Sequence, residues 1–362
     1  MADNQTAGQQ SNGDLRATAC ATACATARAT ARATARATAR AAARGSTRYI
    51  LRRCILIIPT LFVASLIIFL ILRILPGDVA LVLLSGAPHS QEVRDALREE
   101  LGLNDSLPKQ YARWAWNMLN GKLGGVSLET REPISTIIKG RLPVTMLLAC
   151  YSLVLAVVAA LPLGALAAAH QDQWPDRIIR AMSLAGLSLP VAWTAIIVIA
   201  VLLLVFRWSP PIIYSAPQDG FLNHFQIMVW PVLLLAWQYG SHVFRITRSQ
   251  MIEILAKDHI TAARARGLKE RSLLIKYALK SSLVPIVTLL GIQAGTLLSG
   301  ILVIETVFGL PGIGRSLIAA AISRDYQVVQ SIVTLLVLFY LLINLAVDVV
   351  YSLVDPRIKT AE

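Results

Sequence analysis

The chain has 362 residues, 56% of them hydrophobic, and a mean hydropathy of +0.61. A water-soluble domain of this length has no use for so much apolar surface, so the composition points away from a soluble enzyme or binding module and toward a membrane protein. The formal net charge of +13 would suit a nucleic-acid binder, but the excess is confined to particular segments, and insertion topology accounts for it without nucleic acid.

Taken in order, residues 17–44 are seven tetrads, ATAC twice, ATAR four times, then AAAR. They contain no large apolar side chain to bury, so residues 1–47 are expected to be a disordered low-complexity Ala/Thr/Arg segment. The four-residue period sets Arg28, Arg32, Arg36, Arg40 and Arg44 in one stripe. Like charges at this spacing oppose a helix in water, whereas an anionic lipid surface would order it. Cys20 and Cys24 have no histidine or further cysteine beside them, and Cys54 and Cys150 fall in apolar runs. Neither a disulfide nor a metal site is indicated.

Six apolar segments follow, at 54–72, 142–169, 181–206, about 225–244, 281–304 and 326–347. Each is near the roughly 20 residues that cross a bilayer, so the expected fold is an all-α integral membrane protein with six transmembrane helices. Six spans put both termini on one side. Residues 1–53 carry nine Arg against Asp3 and Asp14, and residues 245–280 carry nine Lys/Arg against three Asp/Glu. Residues 76–140, with seven Lys/Arg and eight Asp/Glu, lack that bias. The positive-inside rule therefore makes both termini, including Arg357 and Lys359, and the 245–280 loop cytoplasmic, and turns the 76–140 loop outward.

Within the outward loop, Val93, Leu97 and Leu101 form a helical stripe after the N-cap signal Ser90-Gln91-Glu92, and Gly102 closes the helix. A second amphipathic piece, Gln110 to Leu119, places Tyr111, Trp114, Ala115 and Met118 on one face. Such helices rest on the membrane interface or cover a cavity mouth.

Ionisable residues at span ends are candidate functional groups. Arg73 and Asp78 end the first span, Glu305 the fifth and Asp348 the sixth. Arg73 and Glu305 both fall on the outward side and could pair or gate the mouth. In the fifth span Gly291, Gln293, Gly295, Thr296, Ser299 and Gly300 make a small, polar face suited to close packing, to lining a passage, or to both. The glycine- and proline-rich stretch Glu305 to Arg315 is too irregular to face lipid.

The 245–280 loop has more structure than a tether requires. As a helix it brings Ala262, Ala263, Arg266 and Gly267 to one face, where small side chains let another protein approach the backbone. No G-x-x-x-x-G-K-[ST] loop occurs in the chain, so it has no evident means of holding ATP phosphates. His170, His224, His242 and His259 are scattered near span ends, and no catalytic set is apparent. The chain reads as a transporter component, not an enzyme. A stand-alone secondary transporter or channel is the alternative, but ion-coupled carriers place charges within their spans, and these spans lack them.

Several blocks together resemble the permease family of dipeptide, oligopeptide and nickel ABC importers. They are Tyr49-Ile50-Leu51-Arg52-Arg53, Ile57-Ile58-Pro59-Thr60, Arg73-Ile74-Leu75-Pro76-Gly77-Asp78 and Glu100-Leu101-Gly102-Leu103 with Gln110-Tyr111. The more specific ones are Arg245-Ile246-Thr247-Arg248-Ser249, Ala263-Arg264-Ala265-Arg266-Gly267-Leu268 and Glu305-Thr306-Val307-Phe308-Gly309-Leu310-Pro311-Gly312-Ile313-Gly314-Arg315. Arg324-Asp325-Tyr326-Gln327-Val328-Val329-Gln330 and Asp355-Pro356-Arg357 complete the match, which spans residues 48–358 and leaves 359–362 as a tail.

The resemblance implies a type I ABC importer permease fold in a bacterial inner membrane. The implied partners are a second, non-identical permease, two ATPase subunits that use ATP and Mg, and an external solute-binding protein. No cofactor is expected on this chain. Ala262-Ala263-x-x-x-Gly267 resembles the family's EAA coupling helix, which implies that Thr261, Ala262, Ala263, Arg266 and Gly267 dock on an ATPase subunit. Thr261 stands where that pattern has Glu, and Lys280 where a Pro often follows. Arg73, Gln293, Thr296, Ser299 and Glu305 are candidates for the translocation path or its gate. The solute, whether dipeptide, oligopeptide, nickel or glutathione, is not legible, because a separate binding protein would select it.

Overall fold

A computed structural model describes residues 52–74, 91–100, 102, 104–209, 211 and 213–354. The repeat, Asp78 and the Asp355-Pro356-Arg357 block lie outside the described residues. The chain divides into a compact unit, Leu56–Tyr351, and a second unit made of Met1–Ile55 with Ser352–Glu362. Of the second, only helix-end residues are described.

The first long helix, α1, is Arg52–Ile74. Two shorter helices follow, α2 (Gln91–Glu100) and α3 (Leu107–Asn117), the latter continuing into a π-turn at Met118–Lys122. Next come α4 (Ile134–Ala169), α5 (Trp174–Ser188), α6 (Val191–Leu204), α7 (Phe221–Leu255) and the short α8 (Asp258–Ala265). A turn at Glu270–Ser272 and a π-stretch at Leu273–Leu279 lead into α9 (Lys280–Val307), followed by α10 (Ile313–Ile322) and α11 (Tyr326–Val354). Among the described residues four helices are long and apolar enough to cross a membrane, and up to six spans result if each of two bent pairs counts as one.

The helices follow the apolar segments, with three differences. The third span is not straight: α5 and α6 meet at 109°. Leu189 precedes Pro190 and is extended there (φ −88°, ψ 128°), because the proline ring excludes helical geometry from the residue before it. The fifth span bends by 49° at the break before Pro285. The fourth overruns its expected end by about a dozen residues, so Arg245-Ile246-Thr247-Arg248-Ser249 belongs to α7 and not to a loop. At 1.5 Å per residue α4 and α7 are each about 50 Å long, well beyond the roughly 30 Å hydrocarbon layer. Their polar ends therefore reach past it.

The bundle core is made where α4, α7 and α9 meet, around Leu148, Leu235, Ile301 and Ile304. A second cluster, Ile134, Ile138, Ile313, Val329 and Ile332, closes one end (the α10 end). A third, Ala168, Met251, Ile254, Ile260, Ala263 and Leu273, closes the other (the α8 end). Small residues let the helices approach. A Cβ on Gly291 or Gly295 of α9 would press on Val347 or Tyr340 of α11, and one on Gly300 on the Tyr239 hydroxyl of α7.

The amphipathic helices of the 76–140 region are present, and α2 is followed by Gly102 with φ +66°. Helix α3 lies on α1 through Tyr111, whose ring meets Phe62 and Phe69 edge-on at 6.0 and 5.4 Å and whose hydroxyl is 2.8 Å from Ser65 Oγ. Trp114 donates its indole N–H to Ser331 Oγ of α11 at 3.1 Å.

Gly164 on α4 tests how tightly this bundle is packed. A Cβ there would lie 2.8 Å from the Thr247 side chain on α7. Gly164→Leu should separate the two helices and cost about 1–3 kcal/mol, measured as a lower melting temperature in detergent. An unchanged melting temperature would show that the α4–α7 seam is looser than described.

Candidate functional site

At the α8 end, the chain leaves α7 at Leu255 and re-enters a helix at Asp258, whose acidic side chain suits the first turn. Ile260 and Ala263 are buried against Met251, Ile254 and Leu273, which fixes how α8 is rotated. Thr261, Ala262, Arg264, Ala265, Arg266 and Gly267 are all exposed. The expected face is therefore split. Ala263, 6% exposed, holds α8 to its own protein, and the outward surface is Thr261, Ala262, Arg266 and Gly267.

Gly267 ends the helix. Its φ is +81°, its N–H bonds the Arg264 carbonyl at 3.0 Å, and the Leu268 N–H reaches the Ala263 carbonyl at 3.4 Å. That is a Schellman cap, which glycine adopts without a Cβ penalty. No atom lies within 4 Å of where a Cβ would be, so the space over Gly267 is open. Arg264 donates to Glu270 at 2.5 and 3.4 Å and closes the turn beyond it.

A turn and more before the end of α7, Arg248 makes a two-pronged ion pair with Asp176 at the start of α5, Nε to Oδ1 at 2.6 Å and Nη2 to Oδ2 at 2.7 Å. Asp176 is 0% exposed, and its Oδ2 also accepts the Asp172 N–H at 3.0 Å. A buried carboxylate needs this many donors to offset its desolvation. Sequence reasoning placed Arg248 only within a motif and missed Asp176. The available signal was an acid directly after Trp174-Pro175, between two uncharged spans.

At the α10 end, Glu305 is 0% exposed and does not meet Arg73. Its carboxyl group accepts the Thr145 hydroxyl of α4 at 2.6 Å and the N–H groups of Gly314 and Arg315 at 2.7 and 3.3 Å. Thr145 Oγ1 in turn accepts the Ile313 N–H at 2.9 Å. Three otherwise unpaired N–H groups at the start of α10 are thus satisfied. The glycines of this loop are there for room as well as for turning. A Cβ on Gly312 would collide with the Glu305 carboxyl, and one on Gly314 would lie 2.6 Å from the Leu302 backbone. Arg73 has other neighbours: its guanidinium lies over the rings of Phe69 and Tyr326, 5.2 and 5.7 Å from their centres. The pairing alternative is corrected, because each residue is engaged elsewhere.

Asp325 forms a second buried latch that sequence reasoning quoted but did not assign. Its Oδ2 accepts Ser127 Oγ at 2.6 Å and the N–H groups of Leu128 and Glu129 at 2.8 and 3.4 Å, while Oδ1 caps α11 through the Val328 N–H at 3.2 Å. It binds the 127–129 turn to the start of α11.

The polar face of α9 divides by direction. Its glycines pack inward as above, whereas Thr296 and Ser299 are exposed and Gln293 is half-buried. The Thr296 hydroxyl is 2.8 Å from the Gln293 carbonyl and 3.0 Å from its side-chain oxygen. Among the described residues, no group of three or more His, Cys, Asp or Glu side chains could hold a metal ion.

The sequence that builds this arrangement, a short exposed helix at one end of a long-helix bundle and irregular loops tied down at the other, has known relatives. Residues 160–360 match the family model for the binding-protein-dependent transport system inner membrane component, and residues 46–149 match the model for the N-terminal part of such membrane components. A protein of Sinorhizobium fredii named "Probable peptide ABC transporter permease protein" is 36% identical over 311 residues, 86% of this chain and 99% of its own length. A glutathione transport system permease protein of Escherichia coli is 33% identical over 311 residues, covering 86% of this chain and 98% of its own. With its all-helical architecture and four to six candidate spans, the chain belongs to the binding-protein-dependent transport system inner membrane component family and is a type I ABC importer permease.

Proposed function

We propose that this chain is a non-catalytic half of the translocation pathway of a bacterial inner-membrane importer for peptides or peptide-like solutes. The other half is a second, non-identical permease. Two partner ATPase subunits hydrolyse ATP with Mg, and an external binding protein delivers the solute. Both termini lie in the cytoplasm. The carrying observation is α8, whose buried Ile260 and Ala263 fix it to the bundle while Thr261, Ala262, Arg266 and Gly267 face outward. The basic excess of residues 245–280 supports a cytoplasmic position for that face. That the sequence contains no phosphate loop supports hydrolysis on a partner. The names of the relatives support the peptide class.

A push on α8 has a mechanical route into the membrane. Met251 and Ile254 of α7 share a cluster with Ile260 and Ala263, and Arg248 carries α7 to α5 through Asp176. The polar strip of half-buried Gln293 and exposed Thr296 and Ser299 suits a wet pathway or permease seam better than lipid.

Gly267→Trp fills the open space on the docking face and strains a left-handed position. It should abolish ATP-driven uptake while leaving the protein in the membrane at normal levels; normal uptake and normal ATPase stimulation would displace the docking site from α8. Thr296→Leu with Ser299→Leu should lower uptake at least fivefold with partner assembly intact, and unchanged uptake would assign this strip to lipid. Removing residues 2–44 should leave uptake per inserted molecule within a factor of about three, since Arg48, Arg52 and Arg53 keep the positive flank of α1. A tenfold loss would give the repeat a part in transport.

A further inference from the structure

Helix α5 is tied to α7 along its whole length. At its start the buried Asp176 holds the Arg248 guanidinium through bonds of 2.6 and 2.7 Å and takes the Asp172 N–H of the preceding turn as well. Two turns on, Ser183 Oγ donates to the Ser241 carbonyl and the Trp237 indole N–H to the Met182 carbonyl, both at 3.1 Å. A Cβ on Gly186 would press on the Ser241 side chain, so the two helices run close there. At the last residue before the bend, Gln238 donates its side-chain N–H to the Leu189 carbonyl at 3.3 Å. Hydrogen bonds weaken steeply with angle, so these ties together resist both sliding and rolling of α5 on α7.

Helix α6 is held differently. Among the described residues no hydrogen bond joins its side chains to another helix, and the Thr194 hydroxyl bonds only Pro190 and Val191. Ala195, Val198 and Ile199 meet the bundle core through apolar contact, which is non-directional. The joint to α5 is open as well. The last bond of α5 runs from the Leu189 N–H to the Ala185 carbonyl, the first of α6 from the Thr194 N–H to the Pro190 carbonyl, and no backbone hydrogen bond crosses between them. Proline removes a donor there and keeps the residue before it extended. Hinges form at such element-terminal residues.

We propose that Asp176 is a positioning residue of the transport cycle: paired with Arg248, it makes α5 and α7 one rigid arm, so that displacement of α8 turns α6 about the Leu189–Pro190 joint and leaves α5 seated on α7. This rests on the reading of α8 as the docking element. Asp176 is buried and acts through Arg248, not on solute. The two-pronged pair needs both oxygens of a carboxylate, and an amide at 176 keeps only one acceptor.

The test uses the whole importer, its native cysteines replaced, in lipid nanodiscs. Nitroxide labels go in pairs on exposed residues, Ile178 of α5 with Leu233 of α7, and Leu203 of α6 with Leu233. Pulsed electron resonance reads each distance with and without ATP, with EDTA withholding Mg so that ATP binds without turnover. The Ile178–Leu233 distance should hold within about 2 Å, the size of ordinary helix shifts at interfaces, and the Leu203–Leu233 distance should change by more than that. With partner content unchanged, Asp176→Asn should broaden the Ile178–Leu233 distribution at least twofold and cut the Leu203 shift by half or more. If Asp176→Asn does not assemble, the wild-type distances decide alone. An Ile178–Leu233 change as large as that at Leu203, no ATP-dependent change at Leu203, or an assembled Asp176→Asn importer with wild-type distances would overturn the proposal. Gly267→Trp separates this from the docking reading. If the Leu203 shift survives that substitution, the docking reading fails; if the shift is abolished while Ile178–Leu233 changes in the wild type, the rigid arm fails and the docking reading stands.

Discussion

Backbone that leaves the helix inside an apolar bundle must find partners for its N–H groups, and in this protein buried carboxyl groups supply them. Glu305 does so for the loop from Phe308 to Gly314, taking donors from Thr145, Gly314 and Arg315. Asp325 does so for the 127–129 turn and the first turn of α11. Each joins segments far apart in the chain. Hydrogen bonds to such groups contribute about 1.5–3 kcal/mol apiece, and leaving the loops unsatisfied would cost a comparable amount. The glycines at 312 and 314 follow from this arrangement, since the carboxyl group occupies the space a side chain would need.

The two ends of the bundle are built on different principles. At the α10 end, irregular backbone is held by the buried carboxyl groups of Glu305 and Asp325. At the α8 end the ionic tie, Asp176 with Arg248, lies behind the surface, and the surface itself is made of small residues and arginines. A rigid attachment behind an open face is what the docking role proposed for α8 needs, because force applied to a loosely held helix would be absorbed by its own motion. Ile260 and Ala263 provide that attachment by burial, and Gly267 ends the helix so that its last turn stays exposed.

Close approach of helices does the rest. Gly164 against Thr247, Gly291 against Val347 and Gly295 against Tyr340 place backbones near one another where lipid supplies no hydrophobic drive for association. This is why the small polar face of α9 divides into a packed part and an exposed part. Its glycines pack against other helices of the chain, and its Thr296 and Ser299 side chains are exposed.

The number and approximate extent of the spans, the two amphipathic helices of the 76–140 region and the helical character of residues 258–265 were legible in the sequence, because apolar length and 3.6-residue periodicity are local properties. The family motifs carried the identity for the same reason. The rotation of α8, which turns Ala263 inward and leaves Ala262 outward, was not legible, since it depends on contacts with Met251 and Leu273 from other segments. Nor was the fate of the charges at span ends. A sequence shows that Arg73, Asp176, Glu305 and Asp325 are ionisable residues beside apolar runs, but a charge finds its partner through space. Only the packed bundle decides that Asp176 meets Arg248, that Glu305 meets Thr145 and the start of α10, and that Arg73 comes to rest on two aromatic rings.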